Sequence, residues 1–113
     1  MGKFYKSVRD VSQDTIHLLE DLIDQGAQPK AVYQNIIADH QDILRGITDV
    51  SIISAAYSKS HQFLQRQEEL FKRASKFTNA VLCKVMARRI REVVIESLSE
   101  TQPIVIQDLN EEE

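Results

Sequence analysis

The sequence predicts an all-α protein, a small bundle of three to five helices with a long C-terminal helical region and a short acidic tail. Apolar residues recur mainly at intervals of three and four, which is the period of a helix. Only three Gly and two Pro interrupt the 113 residues, so long helices form easily. The length and the 42% apolar content fit one globular domain. We therefore expect one helical domain over residues 1–102 and a flexible acidic tail over residues 103–113.

Two helices are predicted in the N-terminal half, each ended by a glycine. The first runs from about Val8 to Gln25 and stops at Gly26, because a left-handed residue commonly closes a helix. The second begins at Pro29, since the missing N–H of a proline costs nothing at the first helical position, and it stops at Gly46. The short connection makes these two helices antiparallel neighbours.

The region that follows, residues 49–98, can be divided in more than one way. Thr48 is a good N-cap, and no Gly or Pro follows it until Pro103. One helix of about 50 residues would be about 75 Å long, so it would need a second chain to bury its apolar side. A break at Ser58-Lys59-Ser60 or at Thr78-Asn79 avoids this need, because these side chains compete for backbone hydrogen bonds. We favour a break and keep a dimer built on one long helix as the alternative.

Charge is strongly segregated along the chain. Residues 72–91 carry seven basic and no acidic side chains, whereas residues 92–113 carry seven acidic and no basic ones. Residues 1–71 hold 7 basic and 10 acidic side chains, so the overall net charge of −3 hides three distinct blocks. A cationic segment beside an anionic one indicates a surface that meets a charged partner, or one that the tail covers until a partner arrives.

On a helical wheel most of the basic side chains share one face. Five of the seven fall within roughly 120° of arc, and we call this set the cationic stripe: Arg73, Lys76, Lys84, Arg88 and Arg91. The residues predicted for the opposite, buried side are Phe71, Ala74, Val81, Leu82, Val85, Met86, Ile90 and Val93. Arg89 breaks the pattern, so we expect it to find an acidic partner or to extend its charged end to water.

The cationic stripe has several interpretations. It can bind an acidic protein, nucleic-acid phosphates or an anionic membrane surface, or it can be a solvated face that pairs with acids of neighbouring helices. The net negative charge and the lack of aromatic residues among the cations disfavour nucleic acid, and the absence of Trp disfavours a membrane. We predict a small non-enzymatic regulatory or adaptor protein that binds another macromolecule through this helix face and forms a homo-oligomer. The alternative is a DNA- or RNA-binding regulator with an acidic autoinhibitory tail.

A short apolar and acidic segment near the C-terminus is the second candidate binding feature. Ile104, Val105, Ile106, Asp108 and Leu109 precede three glutamates, and such a segment can add a strand to the sheet edge of a partner. The segment resembles the short SUMO-interacting type of motif. The alternatives are a solubilising tail, or a cover that folds back on the cationic stripe of the same chain.

A third feature has the outline of a helix-turn-helix. Residues 42–54 read as helix, turn and helix, with Gly46 in the turn and with Ile47 and Ile52 expected to pack inward. Asp49 opens the candidate recognition helix, where its charge would repel phosphates. An ordinary connection between two helices is therefore the favoured interpretation.

Catalysis and metal binding have little support in the sequence. His17, His40 and His61 are too far apart along the chain for a metal-binding pair, and no Gly-rich phosphate loop is present. We predict a surface position for His40 beside Asp39, a partly buried structural thiol at Cys83, and no catalytic residue, metal or cofactor. The single Cys indicates a reducing compartment, so we expect a cytoplasmic protein, and no apolar run is long enough to span a membrane.

Overall fold

The computed structural model describes residues 2–101 of the chain, with the side chains of residues 7–95. Four helices make up this part: α1 (Gly2–Asp24), α2 (Lys30–Leu44), α3 (Val50–Arg73) and α4 (Phe77–Thr101). No strand occurs among residues 2–101, so the predicted all-α bundle is confirmed. The predicted strand-adding segment of the tail, with Ile104, Val105, Ile106, Asp108 and Leu109, lies outside the described residues.

The helices follow one another around a shared core. α1 packs on α2, α2 on α3, α3 on α4, and α4 returns to α1. Polar contacts show that α1 and α4 are antiparallel, because Asp14 meets Arg89 while Gln25, further along α1, meets Asn79, which comes earlier on α4. Short connections between successive helices produce this up-and-down arrangement.

Each helix contributes side chains at intervals of three and four to one apolar core. Its largest fully buried apolar side chains are Tyr33, Tyr57, Leu19, Leu22, Ile36, Ile53, Leu64 and Ile90. The ring of Tyr33 stands edge-on to that of Phe63 at a centroid distance of 4.8 Å, and its hydroxyl donates to Gln67 at 2.7 Å. Tyr33 is therefore buried without losing its hydrogen bond.

The ends of the first two helices follow the glycines. Gly26 has φ +92°, and the N–H of Ala27 donates to the Leu22 carbonyl at 2.9 Å while that of Gly26 donates to Ile23 at 2.8 Å. This is the Schellman closure expected of a left-handed residue just past a helix. Gly46, at φ +129°, follows the C-cap of α2, so the second helix stops where the sequence predicted. Pro29 is the N-cap of α2 rather than its first helical residue, so the helix begins at Lys30, one residue later than predicted.

Residues 49–98 form two helices, and both predicted break points were wrong. Ser58-Lys59-Ser60 lies inside α3 and Thr78-Asn79 lies in the first turn of α4, whereas the break falls at residues 74–76. Ser75 adopts φ 60° there, and the N–H of Lys76 donates to the Phe71 carbonyl at 2.8 Å. This is the same Schellman closure as at Gly26, built with a serine. The reversal lets α4 pack one side against its own chain, so the predicted helix of about 50 residues, which would have needed a second chain, does not form.

The start of α3 differs from the prediction by one residue. Asp49, and not Thr48, is the N-cap, since its carboxylate accepts from the N–H of Ser51 at 2.9 Å and of Ile52 at 3.4 Å. The Ser51 hydroxyl also donates to it at 2.7 Å, and these bonds hold the pKa of Asp49 below its usual value. Ile52 is 50% exposed, so the predicted inward packing of this residue was wrong, while Ile47 does pack against the core.

Candidate partner-binding site on the fourth helix

The five residues of the cationic stripe lie on two helices and the connection between them. Arg73 is the last residue of α3, Lys76 lies in the turn, and Lys84, Arg88 and Arg91 lie on α4. The prediction placed all five on one continuous helix. The break at residues 74–76 separates the first two cations from the other three.

Lys84, Arg88 and Arg91 come together along one groove between α3 and α4. The groove has a volume of about 400 Å³. Its lining consists of His61, Gln65, Glu68, Lys84, Ala87, Arg88 and Arg91. The polar residues of both helices repeat at intervals of four and three, the spacing that aligns side chains along one helix face. We call this feature the α3–α4 groove.

The α3–α4 groove has an excess of positive charge. Three cations line it, whereas Glu68 is its one acidic lining residue. Glu68 is itself engaged on α3, where its carboxylate lies 3.2 Å from the ammonium of Lys72 and raises the pKa of that group. Negative charge from a partner would therefore be attracted to the α4 side of the groove, where Lys84 and Arg88 are exposed and Arg91 is partly buried.

Arg89 lies on the other side of α4 and does not belong to the groove. Its guanidinium donates to the Asp14 carboxylate at 2.7 Å and joins α4 to α1. The expectation that Arg89 finds an acidic partner is confirmed. The two neighbouring arginines therefore differ in role, since Arg88 lines an open groove and Arg89 holds two helices together.

The outward face of α4 is apolar over its first turns, which the sequence did not predict. Phe77, Val81, Leu82 and Val85 are exposed by 61%, 56%, 45% and 51%. The prediction that Val81, Leu82 and Val85 are buried was wrong. The buried side of α4 consists of Asn79, Ala80, Cys83, Met86, Ala87, Ile90, Val93 and Val94. These residues all lie on α4, so the break does not change their positions relative to one another. The wheel placed the buried side at the centre of the large apolar residues, whereas α4 buries the neighbouring arc, which includes the small residues Ala80, Cys83 and Ala87.

His40 is fully buried, so its predicted surface position was wrong. Its Nδ1 lies 3.0 Å from the Ser12 hydroxyl and its Nε2 lies 2.7 Å from that of Ser60, which joins three helices. Burial lowers the pKa of His40 to about 4, and the ring is neutral at pH 7. The sequence analysis did not predict this network. The one feature of the sequence that indicates it is that Ser12 and Ser60 lie among the apolar positions of their helices.

Cys83 is also fully buried, more completely than predicted. Burial, with a smaller contribution from the charge of Glu68, raises the pKa of its thiol to about 12. A thiol in this environment is a poor nucleophile, because the thiolate is the reactive form. No cluster of three or more His, Cys, Asp or Glu side chains in the described part of the chain is arranged to hold a metal ion. Within residues 2–101, no helix combines the length and the apolar character needed to cross a membrane.

No protein-family profile, no curated protein and no solved structure matches the chain.

Proposed function

We propose that this protein is a small regulatory or adaptor protein that binds an acidic partner protein through the α3–α4 groove. The observation that carries the proposal is the convergence of Lys84, Arg88 and Arg91 on one groove with a single acidic lining residue. Convergent cations recognise carboxylates through short, charge-assisted hydrogen bonds, and an arginine can hold one carboxylate with two of them.

The pattern of ion pairs favours a binding role for the groove over a purely structural one. Arg89, Lys59 and Arg45 each meet a carboxylate of the same chain, at 2.7 Å, 3.2 Å and 2.6 Å. Arg88, by contrast, makes no ion pair with any described side chain. An exposed, unsatisfied guanidinium beside two further cations steers an acidic partner and fixes its register.

Nucleic acid is the competing partner class, because phosphate oxygens satisfy the same donors. The net charge of −3 weakens long-range attraction to a polyanion. Phe77 is the one exposed aromatic side chain among the described residues of α4, so stacking of successive bases has little support. The exposed apolar side chains beside the groove are better suited to contact with a protein surface than with nucleic acid.

The proposal extends to the acidic tail and to assembly. Residues 103–113 contain four acidic and no basic side chains, so the tail can compete with a partner for the cations. The homo-oligomer stays a prediction, and the single long helix that first suggested it is not formed. A cytoplasmic location remains part of the proposal and rests on the single Cys.

The test is a fluorescence titration of the full chain with a labelled oligoglutamate peptide and with mixed-sequence DNA and RNA, at low and moderate salt. We expect Arg88→Glu to weaken peptide binding by about tenfold or more, because it replaces an attraction with a repulsion. Arg66→Glu is the matched control, since Arg66 is exposed on α3 and does not line the groove. Equal losses in both variants would refute a defined site, and tighter binding of nucleic acid than of peptide would favour the competing class.

A further inference from the structure

The exposed apolar face of α4 has no cover within the described chain. Phe77, Val81 and Val85 follow one another at intervals of four and form a single ridge about 12 Å long at 1.5 Å per residue. Their exposed fractions of 61%, 56% and 51% are among the highest of the large apolar side chains, and Leu82 widens the ridge toward α1. Apolar side chains clustered in this way mark interaction surfaces more often than scattered ones do.

Positive charge flanks the ridge on the side that faces α3. Lys84 and Arg88 follow Val81 and Val85 by three positions, so each cation neighbours a ridge residue on the helix surface. These two cations also line the α3–α4 groove, which places positive charge on the α3 side of the ridge. On the α1 side, the charge of Arg89 is already paired with Asp14, and the acidic residues Asp10 and Glu92 lie beside it.

From this arrangement we infer that the outward face of α4 binds an amphipathic helix of a partner protein, apolar along one face and acidic along one edge. This inference rests on the proposed function and specifies the partner that the groove would recognise. The ridge repeats at the period of a helix, so the apolar side chains of a second helix fit between its members. Carboxylates along one edge of that helix then meet Lys84 and Arg88.

A second copy of this chain fits the face less well. Residues 72–91 contain seven basic and no acidic side chains, and the first carboxylate after them is that of Glu92, so pairing two copies of this stretch brings cations together. Like charges placed opposite each other across an interface disfavour binding. Charge complementarity therefore selects an acidic partner rather than self-association.

The experiment uses the full chain and two synthetic peptides of identical composition. One peptide presents leucines on one helical face with glutamates beside them, and the other has the same leucines dispersed around the helix. We expect the amphipathic peptide to bind at least about tenfold more tightly than the dispersed one, and Val81→Ser/Val85→Ser to remove that advantage. Ile52→Ser is the matched control, because Ile52 is 50% exposed on α3, and it should leave the affinity unchanged. Circular dichroism checks that each variant is folded.

The outcomes separate this inference from the proposed function. If Arg88→Glu abolishes peptide binding while Val81→Ser/Val85→Ser has no effect, the groove binds acids but the ridge is not a docking site, and the inference is wrong. If Arg88→Glu has no effect on any acidic peptide, the proposed function itself fails. Sedimentation provides a third test, since a wild-type dimer that Val81→Ser/Val85→Ser converts to a monomer would assign the face to a second copy and overturn the inference.

Discussion

The Ser12 hydroxyl and Nδ1 of His40 lie 3.0 Å apart in the buried centre of the bundle, and the protons around them can be assigned. The Tyr57 hydroxyl donates to the Val8 carbonyl at 2.8 Å, so its oxygen accepts from Ser12 at 2.7 Å. Ser12 must then accept from Nδ1–H of His40, and Nε2 accepts from the Ser60 hydroxyl at 2.7 Å. A neutral ring protonated at Nδ1 satisfies all four of these bonds and gives up only the longer contact of the Ser60 hydroxyl with the Ala56 carbonyl, at 3.0 Å. A ring protonated at Nε2 would keep that contact but would give up the 2.8 Å bond from Tyr57 to Val8, so the Nδ1 form is favoured.

This assignment predicts a specific tautomer. We expect the nitrogen NMR shifts of His40 at pH 7 to show a protonated Nδ1 and an unprotonated Nε2, which is the less common form in water. His17, which is exposed, serves as the internal reference for the nitrogen shifts. A protonated Nε2 in His40 would overturn the assignment, because Ser60 would then donate to the Ala56 carbonyl and Tyr57 would donate to Ser12 instead of Val8.

The same burial predicts that stability falls with acid. The pKa of His40 is lowered to about 4 in the folded state, against about 6.5 unfolded. Between these values the unfolded chain binds a proton that the folded chain does not, so stability is fully present above about pH 6.5 and is lost toward pH 4. The loss amounts to about 3 kcal/mol of unfolding free energy. Urea denaturation at several pH values measures it, and His40→Gln should flatten the slope in this window. An unchanged slope in the variant would assign the acid sensitivity to other groups.

The turn between α3 and α4 offers a stabilising substitution. Ser75 holds φ 60°, a conformation in which a side chain is strained and glycine is not. We expect Ser75→Gly to raise the unfolding free energy by about 1 kcal/mol. Ser58→Gly, inside α3, is the matched control and should lower it by about 0.5 kcal/mol. The two effects have opposite signs in denaturant unfolding, and destabilisation by both would show that Ser75 is not strained.

The buried thiol should resist alkylation. Burial raises the pKa of Cys83 to about 12, so little thiolate forms at pH 8, and the side chain has no contact with solvent. Iodoacetamide should label the protein rapidly in urea and very slowly without it, as followed by mass spectrometry. Rapid labelling of the native protein would mean that α4 opens readily from α1 and α3.

The differences between sequence and structure have local causes. Gly26 and Gly46 marked the ends of α1 and α2 because glycine is the usual residue for a left-handed position. Ser75 fills the same position in an identical closure, and nothing in its sequence distinguishes it from Ser58 or Ser60. The break therefore could not be located from the sequence. The buried face of α4 was a separate error, because the helix packs through the arc that includes Ala80, Cys83 and Ala87 rather than through the centre of its large apolar residues.

The candidate site was predicted only in part for the same reason. The basic block was visible, but which cations share a groove depends on how α4 packs against α3, and Arg73 and Lys76 fell outside the groove. The network of Ser12 and His40 depends on three helices meeting, a relationship that no spacing along one helix encodes. Arg89 was recognised as an exception to the stripe, but Asp14 could not be identified as its partner before the contact of α1 with α4 was known.

The adjacent Arg88 and Arg89 allow the two roles of charge on α4 to be separated. Arg89→Ala removes the ion pair with Asp14. Both side chains of this pair are exposed by more than a third, so we expect a loss of at most about 1 kcal/mol of unfolding free energy. Its affinity for the oligoglutamate peptide should stay unchanged. Arg88→Ala should have the opposite pattern, with unchanged stability and weaker peptide binding, because its guanidinium faces the groove. Asp14→Ala completes a double-mutant cycle with Arg89→Ala, and the cycle measures the interaction free energy between the two side chains. If both arginine variants weakened peptide binding equally, the interaction would depend on overall charge, and the groove would have no special role.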